Sequence, residues 1–348
     1  MGGNLLEKIK CVVWDLDNTL WDGTLLEDKA VSLSPQALRT IKTLDERGIL
    51  QSIASKNDYS HAFKSLEQFG ISEYFLYPQI SWGPKSDAIA TIVEKLNIGM
   101  DTVAFVDDQP FEIDEVRYSH PLVYCIHADQ IPEMLAMECM QPRFVTEDSR
   151  VRRQLYQNDI MRNQAEDQFR GPKEEFLETL NMRFSIRLAK ESDLRRMEEL
   201  TVRTHQLNST GYTYSYEELN ILILSPDYIV LVAELEDRYG PYGTIGLSVI
   251  EIKSKIWHIR LLLMSCRTVS RGVGSILLNY LILAARDAGV LLRSEFRHND
   301  RNRMMYVAYK FAGFQTMGSE GEIEYMEHRY ETVQRMPEYI EIHAPAAL

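Results

Sequence analysis

The stretch IKCVVWDLDNT, residues 9–19, decides the fold of the first part of this chain. Residues 9–16 are an apolar, β-branched run that closes on acids, the pattern of a strand buried on both faces of a parallel sheet. Residues 35–48 (PQALRTIKTLDERG) begin with Pro, end with Gly and carry apolar residues at helical spacing, which predicts a helix. A second strand is expected at 49–54, a helix through 58–69 closed by Gly70, a further helix at 85–97 and a buried strand at 102–106. Strands alternating with helices imply right-handed βαβ units in a doubly wound sheet. Ligands of such sheets bind outside the carboxyl ends of the strands, and there this chain keeps its polar residues.

Asp15 and Asp17 stand two residues apart at the first strand end, so in extended backbone both carboxylates lean to one side. Two neighbouring carboxylates favour a hard cation such as Mg²⁺. One can attack phosphorus while the other serves the leaving group as acid and base. A lone pair of this kind is more often a cap, but three further polar sites follow in order. Ser55-Lys56-Asn57 ends the second strand, Lys85 opens a helix after Gly83-Pro84, and Asp107-Asp108 ends a later strand. This succession resembles the haloacid dehalogenase-like superfamily. The resemblance implies Asp15 as phosphoryl-accepting nucleophile and Asp17 as general acid and base. It implies Ser55 and Lys85 on the phosphoryl oxygens, with Thr19, Lys56 and Asn57 as further substrate-binding candidates. It also implies Mg²⁺ held by Asp15, Asp108 and the backbone carbonyl of Asp17.

At 348 residues the chain has room for about two domains, and its 45% hydrophobic and 26% charged residues are those of a globular protein. Disorder, a collagenous repeat and a disulfide-stapled mini-fold are excluded. Lys plus Arg is 38 against 51 Asp plus Glu, a net charge of −13 that argues against sequence-independent nucleic-acid binding. The four cysteines, Cys11, Cys125, Cys139 and Cys266, show no CxxC or metal spacing and read as reduced thiols. No run approaches the length that spans a bilayer, so no membrane partner and a cytoplasmic location are expected.

The expected domains are a phosphatase-like one over 1–140, a helical linker over 141–181 and a second domain over 182–348. In the linker Arg150, Arg152 and Arg153 read as a solvated helix face. The second domain has strands at 228–235, 243–252 and 256–264, then SRGVGS and a helix at 275–288. Glycines before a helix let backbone N–H groups approach a pyrophosphate or a pantetheine arm. Together with the flanking apolar strand and helix, this turn resembles the GNAT acyltransferase motif and makes Arg271, Gly272 and Gly274 pantetheine-binding candidates. Val269 departs from the Gln or Arg usual in that motif.

Cys266, beside Arg267, is either a thiolate able to carry an acyl group or a buried small hydrophobe. Cys11 reads as core. His258 lies eight residues from Cys266, too far along a straight strand for a hydrogen bond, and reads as a packed, satisfied histidine. His298, Asn299, Asp300, Arg301 and Asn302 either line a site or cap a helix at 302–311, with Asp300 as the expected cap and Asn302 the substrate-binding candidate.

The runs VVWDLDNTLWDGTLLED, LDERGILQSIASKND, PQISWGPKS, FVDDQP, ELTVRTHQLNSTG, MSCRTVSRGVG and FRHNDRNRMMYVAYKFAGF resemble FkbH-like proteins over residues 9–315. These are two-domain glyceryltransferase/phosphatases of polyketide pathways, with a haloacid dehalogenase-like domain followed by a GNAT-like one. The resemblance implies that 1,3-bisphosphoglycerate loses its phosphates while a D-glyceryl group passes as a thioester to a phosphopantetheinylated acyl carrier protein. Catalysis would fall to Asp15, Asp17 and Cys266, and a basic patch of Arg267, Arg271, Arg301 and Arg303 would meet the carrier. Two rivals stand beside it. One is a Mg²⁺-dependent small-molecule phosphatase fused to an acyl-CoA N-acetyltransferase, which would consume acetyl-CoA without a carrier. The other is a lapsed docking module, against which the intact set Asp15, Asp17, Ser55, Lys85 and Asp108 speaks.

Overall fold

The computed structural model describes residues 9–28, 30–142, 145–331 and 333–348, and of their side chains all but those of Cys266, Val269 and Ser270. Two compact units divide between Asp159 and Ile160. The first contains β1 (Cys11–Trp14), β2 (Trp21–Asp22), β3 (Ser32–Leu33), β4 (Leu50–Ser55), β5 (Gln79–Ile80), β6 (Val103–Asp107) and β7 (Tyr124–His127). Five of these form a parallel sheet in the order β5-β4-β1-β6-β7, and β2 and β3 pair as a hairpin inserted after β1. All four residues of β1 are buried, as its unbroken apolar run requires of a central strand with both faces covered.

The connecting helices start on sequence-coded caps. Ser34 Oγ accepts from the Ala37 N–H before helix Pro35–Glu46, and Asp58 Oδ1 accepts from the His61 N–H before helix Tyr59–Gln68. Trp14 lies level with Ile53 on one side and Val106 on the other. The next residue on β1 is therefore Asp15, side by side with Asp107 and one step short of Ser55. Register alone gathers the polar residues at one end.

The helix Arg152–Gln168 contains the division between the units. Arg150 is exposed as expected, but Arg152 and Arg153 are buried, which corrects the solvated-face reading. Arg152 Nη1 donates to the Gly48 carbonyl at 2.7 Å. Arg153 pairs with Asp45 and Glu73, each at 3.0 Å, and lies over the Tyr74 ring.

The second unit contains β8 (Met182–Leu188), β9 (Tyr228–Asp237), β10 (Gly240–Lys253), β11 (Ile256–Met264), β12 (Leu291–Arg297), β13 (Phe314–Glu320), β14 (Ile323–His328) and β15 (Ile340–His343). They form a mixed sheet in the order β13-β14-β12-β11-β10-β9-β8-β15. Helices Leu194–Arg203 and Tyr216–Leu224 cover one face, packing Leu194, Met197 and Leu219 on Val230, Val232, Leu247 and Leu261. Helix Ile276–Asp287 packs on the other. The fold is thus α/β as expected, a parallel sheet with connecting helices followed by a unit built on a mixed sheet with helices on both faces. No described helix is long and apolar enough to cross a membrane.

The parallel strands β11 and β12 pair only over Ile256–Ile259 and Leu291–Ser294. Beyond that, residues 207–209 take up the free backbone groups. The Met264 N–H donates to the Leu207 carbonyl, the Ser209 N–H to the Leu262 carbonyl, and the Arg297 N–H to the Ser209 carbonyl.

Candidate active site

Asp15, Lys85 and Asp107 are almost wholly buried at the carboxyl ends of β1 and β6. Lys85, at the start of helix Lys85–Leu96, places Nζ 2.8 Å from Asp15 Oδ1 and 2.6 Å from Asp107 Oδ2. Burial pushes the Asp15 carboxyl up to about 6, against the pull of Lys85. Ser55, buried at the end of β4, adds a small downward pull on the Asp15 carboxyl. Burial also raises Asp107 and Asp108. It opposes the Lys85 ammonium, yet the charges of Asp15 and Asp107 outweigh it and hold that pKa above its ordinary value.

Carboxylate oxygens of Asp15, Asp107 and Asp108 lie within 4.8 Å of one another. One ammonium faces three acids, and Asp108 Oδ1 is buried with no hydrogen-bond partner among the described residues. That excess of hard oxygen donors fits a divalent cation. Asp107 was not among the sequence-derived ligands, although the Asp107-Asp108 doublet at a strand end was the signal for it. The Asp17 carboxylate stays outside this cluster, which leaves only its backbone carbonyl for the metal role expected of it.

Asp17 is instead held for other work. Its Oδ1 accepts from Trp21 Nε1 at 2.7 Å and the Leu25 N–H at 3.1 Å, and its Oδ2 accepts from Asn57 Nδ2 at 3.0 Å. Trp21 lies on β2, so the hairpin after β1 serves to orient the second aspartate. Asn57 is therefore corrected from a phosphate ligand to a positioning residue, since its Nδ2 donates to Asp17 and its Oδ1 accepts from the Asp58 N–H. Thr19 is buried, and its Oγ1 lacks a partner among the described residues. Lys56, partly exposed, pairs with Glu112 at 2.7 Å. Glu112, in the first turn of helix Pro110–Ser119, escaped the sequence reading because nothing local marks its partner.

In the second unit Cys266 opens a 3₁₀ helix, Cys266–Arg271, directly after β11. Its side chain lies outside the described residues, so both readings of this thiol stand as expectations. Arg271 is corrected: it is 2% exposed, with Nη1 2.7 Å from Glu166 Oε2 and Nη2 2.8 Å from Asn163 Oδ1. It joins no surface patch, although Arg301 and Arg303 are exposed. Gly272 has φ +71°, and a Cβ there would collide with the Tyr339 hydroxyl, whereas Gly274 borders open space. The turn thus demands glycine at Gly272 for the fold itself.

Asn302 is corrected in the same way. It is 1% exposed, its Nδ2 donates to the Asn208 and Arg297 carbonyls, and its Oδ1 accepts from the Asn299 N–H. Helix Arg303–Phe311 has Asn302, not Asp300, at its N-cap position, without a side-chain cap bond. His258 is packed as expected but not satisfied. Its Nε2 has no hydrogen-bond partner among the described residues and lies 3.8 Å from Glu295 Oε1. Burial, with the Arg260 charge, pushes it down to about 4. Cys11 is fully buried, and burial drives its thiol far above the usual range.

No family model matches the chain. Magnesium-dependent phosphatase 1 from Homo sapiens is 29% identical over 137 residues, covering 34% of this chain and 77% of that protein. The N-terminal part of BF1531 from Bacteroides fragilis, which contains a phosphatase domain and was solved with Mg, is 31% identical. That likeness spans 34% of this chain and 36% of the other, with a TM-score of 0.32. The PaiA N-acetyltransferase from Thermoplasma acidophilum, solved with coenzyme A, is 18% identical, with a TM-score of 0.35 over 42% of this chain and 99% of that one.

Proposed function

We propose that the first unit is a Mg²⁺-dependent phosphatase working through Asp15. The observation that carries this reading is Lys85 Nζ seated between Asp15 and Asp107 inside a cluster of three carboxylates. The likeness to a magnesium-dependent phosphatase supports it. Asp15, Asp107 and Asp108 would hold the ion, which supplies positive charge to offset the carboxylates and the phosphoryl oxygens. An Asp15 oxygen attacks phosphorus and the ester P–O bond breaks. Asp17 protonates the departing oxygen, then takes a proton from the water that hydrolyses the aspartyl phosphate. Lys85 and Ser55 stand where the negative charge gathers, and the three donors on Asp17 fix its direction.

The whole chain, on this reading, is a cytoplasmic glyceryltransferase/phosphatase of the FkbH-like kind. The Cys266 thiolate attacks the acyl carbon of 1,3-bisphosphoglycerate and expels phosphate. The glyceryl thioester then exchanges onto the pantetheine thiol of an acyl carrier protein. The remaining 3-phosphate ester is the substrate of Asp15. Attack by Asp15 on the acyl phosphate would discard the acyl energy, which is why the two chemistries are divided between the units.

Intact-protein mass spectrometry with Mg²⁺, fresh 1,3-bisphosphoglycerate and a phosphopantetheinylated carrier tests both parts. A glyceryl adduct on enzyme and carrier is expected, absent from the enzyme in Cys266→Ala and retaining its phosphate in Asp15→Asn. Asp15→Asn should also cut Mg²⁺-dependent hydrolysis of p-nitrophenyl phosphate by at least about 10³-fold. Acetyl-CoA consumed with no carrier adduct would favour the phosphatase–N-acetyltransferase alternative.

A further inference from the structure

Four large apolar side chains stand exposed at the strand ends of the first unit, and the chemistry at Asp15 uses none of them. Phe111 is 73% exposed, Trp82 67%, and Leu26 and Tyr59 51% each. They come from four different connections, after β6, β5, β2 and β4 in turn. Each lies one or two residues from a residue bonded to the site. The Leu25 N–H and Asn57 Nδ2 donate to Asp17. The Ser81 N–H donates to the Ser55 carbonyl, and the Gln109 N–H to Asp107 Oδ1. At about 3.8 Å per residue, the four side chains rim the bed of Asp15 and Asp17.

Exposed apolar groups gathered in this way mark a surface that binds something. A polar bed inside an apolar rim suits a phosphate with apolar groups around it. The width of the rim distinguishes a small ester from a chain. In the order β5-β4-β1-β6, the strands before Trp82 and Phe111 are three spacings apart, roughly 14 Å at about 4.8 Å each. A small polyol phosphate does not span that width, whereas about four residues of extended peptide do. Exposed acids flank the rim, Glu27 beside Leu26 and Asp58 beside Tyr59, so basic residues suit the ends of such a peptide. The rim begins one or two residues from the site. A phosphate on a long prosthetic arm would hold its protein away from these side chains, and a phosphorylated side chain would not.

We propose that the first unit also dephosphorylates protein, accepting an extended segment in which a phosphorylated side chain is flanked by apolar and then basic residues. The proposal rests on the phosphatase reading of Asp15 and adds a substrate to it. The step balances as for a small ester. The phosphoryl group passes to Asp15, the side-chain oxygen leaves with the proton of Asp17, and water then releases phosphate from Asp15. Trp82 and Phe111 act only by binding the segment, as exposed aromatic anchors do.

The test is Mg²⁺-dependent phosphate release by the full chain from short phosphoseryl and phosphotyrosyl peptides. One series carries Leu and Phe beside the phosphorylated residue and the other Gly and Ser, both with Arg at the ends. 3-Phosphoglycerate is the small ester for comparison. For at least one phosphorylated residue, kcat/KM should favour the apolar series by about 10-fold or more. Trp82→Ser with Phe111→Ser should remove that advantage and leave 3-phosphoglycerate and the Gly/Ser series within about 2-fold. Equal rates for the two series, or equal losses on every substrate, overturn the proposal while leaving the phosphatase intact. So does hydrolysis of 3-phosphoglycerate but of no peptide. A response to the double substitution confined to a phosphoglyceryl thioester on a carrier protein would assign the rim to that carrier instead. Loss of a dimer in sedimentation, with peptide rates unchanged, would assign it to a second copy of this chain. Failure of the wild-type chain to hydrolyse any of these esters removes the phosphatase reading and the proposal together.

Discussion

At the carboxyl end of β1 the parallel sheet leaves three aspartates facing one lysine, with an acceptor oxygen still unclaimed. At the carboxyl end of β11 the mixed sheet does the reverse. Its diverging strands are bridged by residues 207–209, Asn302 is consumed by backbone carbonyls, and Arg271 is turned onto Glu166 and Asn163. Both ends are rich in polar residues, yet among the described residues the first gathers three acids around one ammonium, whereas at the second the Arg271 guanidinium is paired and leaves only its Nε without a partner. A polar side chain at a strand end becomes a candidate for chemistry when the fold has not already satisfied it.

The largest effect that would break this contrast is expected at Lys85. Lys85→Met leaves Asp15 and Asp107 buried without their shared ammonium and should destabilise the metal-free protein by about 3–5 kcal/mol. Excess Mg²⁺ should return part of that in urea unfolding, because an ion that binds only the folded state stabilises it. A loss that is small, or indifferent to Mg²⁺, would mean that the acids are not held against one another as described.

A medium effect separates structure from function in the second unit. Asn302→Asp keeps the shape but removes both amide donors, leaving the Asn208 and Arg297 carbonyls without these bonds. It should cost about 1–3 kcal/mol in thermal or urea unfolding with phosphatase kcat unchanged. A loss of glyceryl transfer with stability intact would restore Asn302 as a substrate ligand.

The smallest effect is a slope. His258 has its folded pKa depressed to about 4, below its ordinary value. The unfolded chain therefore binds the proton first. The stability that neutral His258 contributes is fully present above about pH 6.5 and is lost as pH falls through about 4. His258→Phe should make the pH dependence of stability between those values shallower by up to about one proton, measured by urea titration across the window. An unchanged slope would show that His258 is solvated.

These differences follow what was legible in the sequence. The alternation of strands and helices, the strand-end positions of Asp15, Ser55 and Asp108, and the helix-start position of Lys85 could be read because each signal is local. A short apolar run closes on an acid, and a parallel register then aligns the ends. The residues misread in sequence are those whose partners are remote. Arg152 reaches Gly48, 104 residues away, Arg271 reaches Glu166 across 105, and Asn302 reaches Asn208 across 94. No periodicity encodes such partners, so charged and amide residues that looked free proved to be committed. Asp107 and Glu112 were hidden differently: the doublet was visible, but which acid faces Lys85, and which faces Lys56, is set by side-chain direction.

The bridge between β11 and β12 has a consequence for synthesis. Ser209 precedes Arg297 by 88 residues, and its carbonyl is completed by the Arg297 N–H. At about 5–20 residues per second, the ribosome delivers that partner roughly 4–18 s after Ser209 has been made. Through that interval the nascent second sheet cannot close the seam between β11 and β12, and the Ile256–Ile259 stretch of β11, which residues 207–209 do not cover, waits for β12 to be translated.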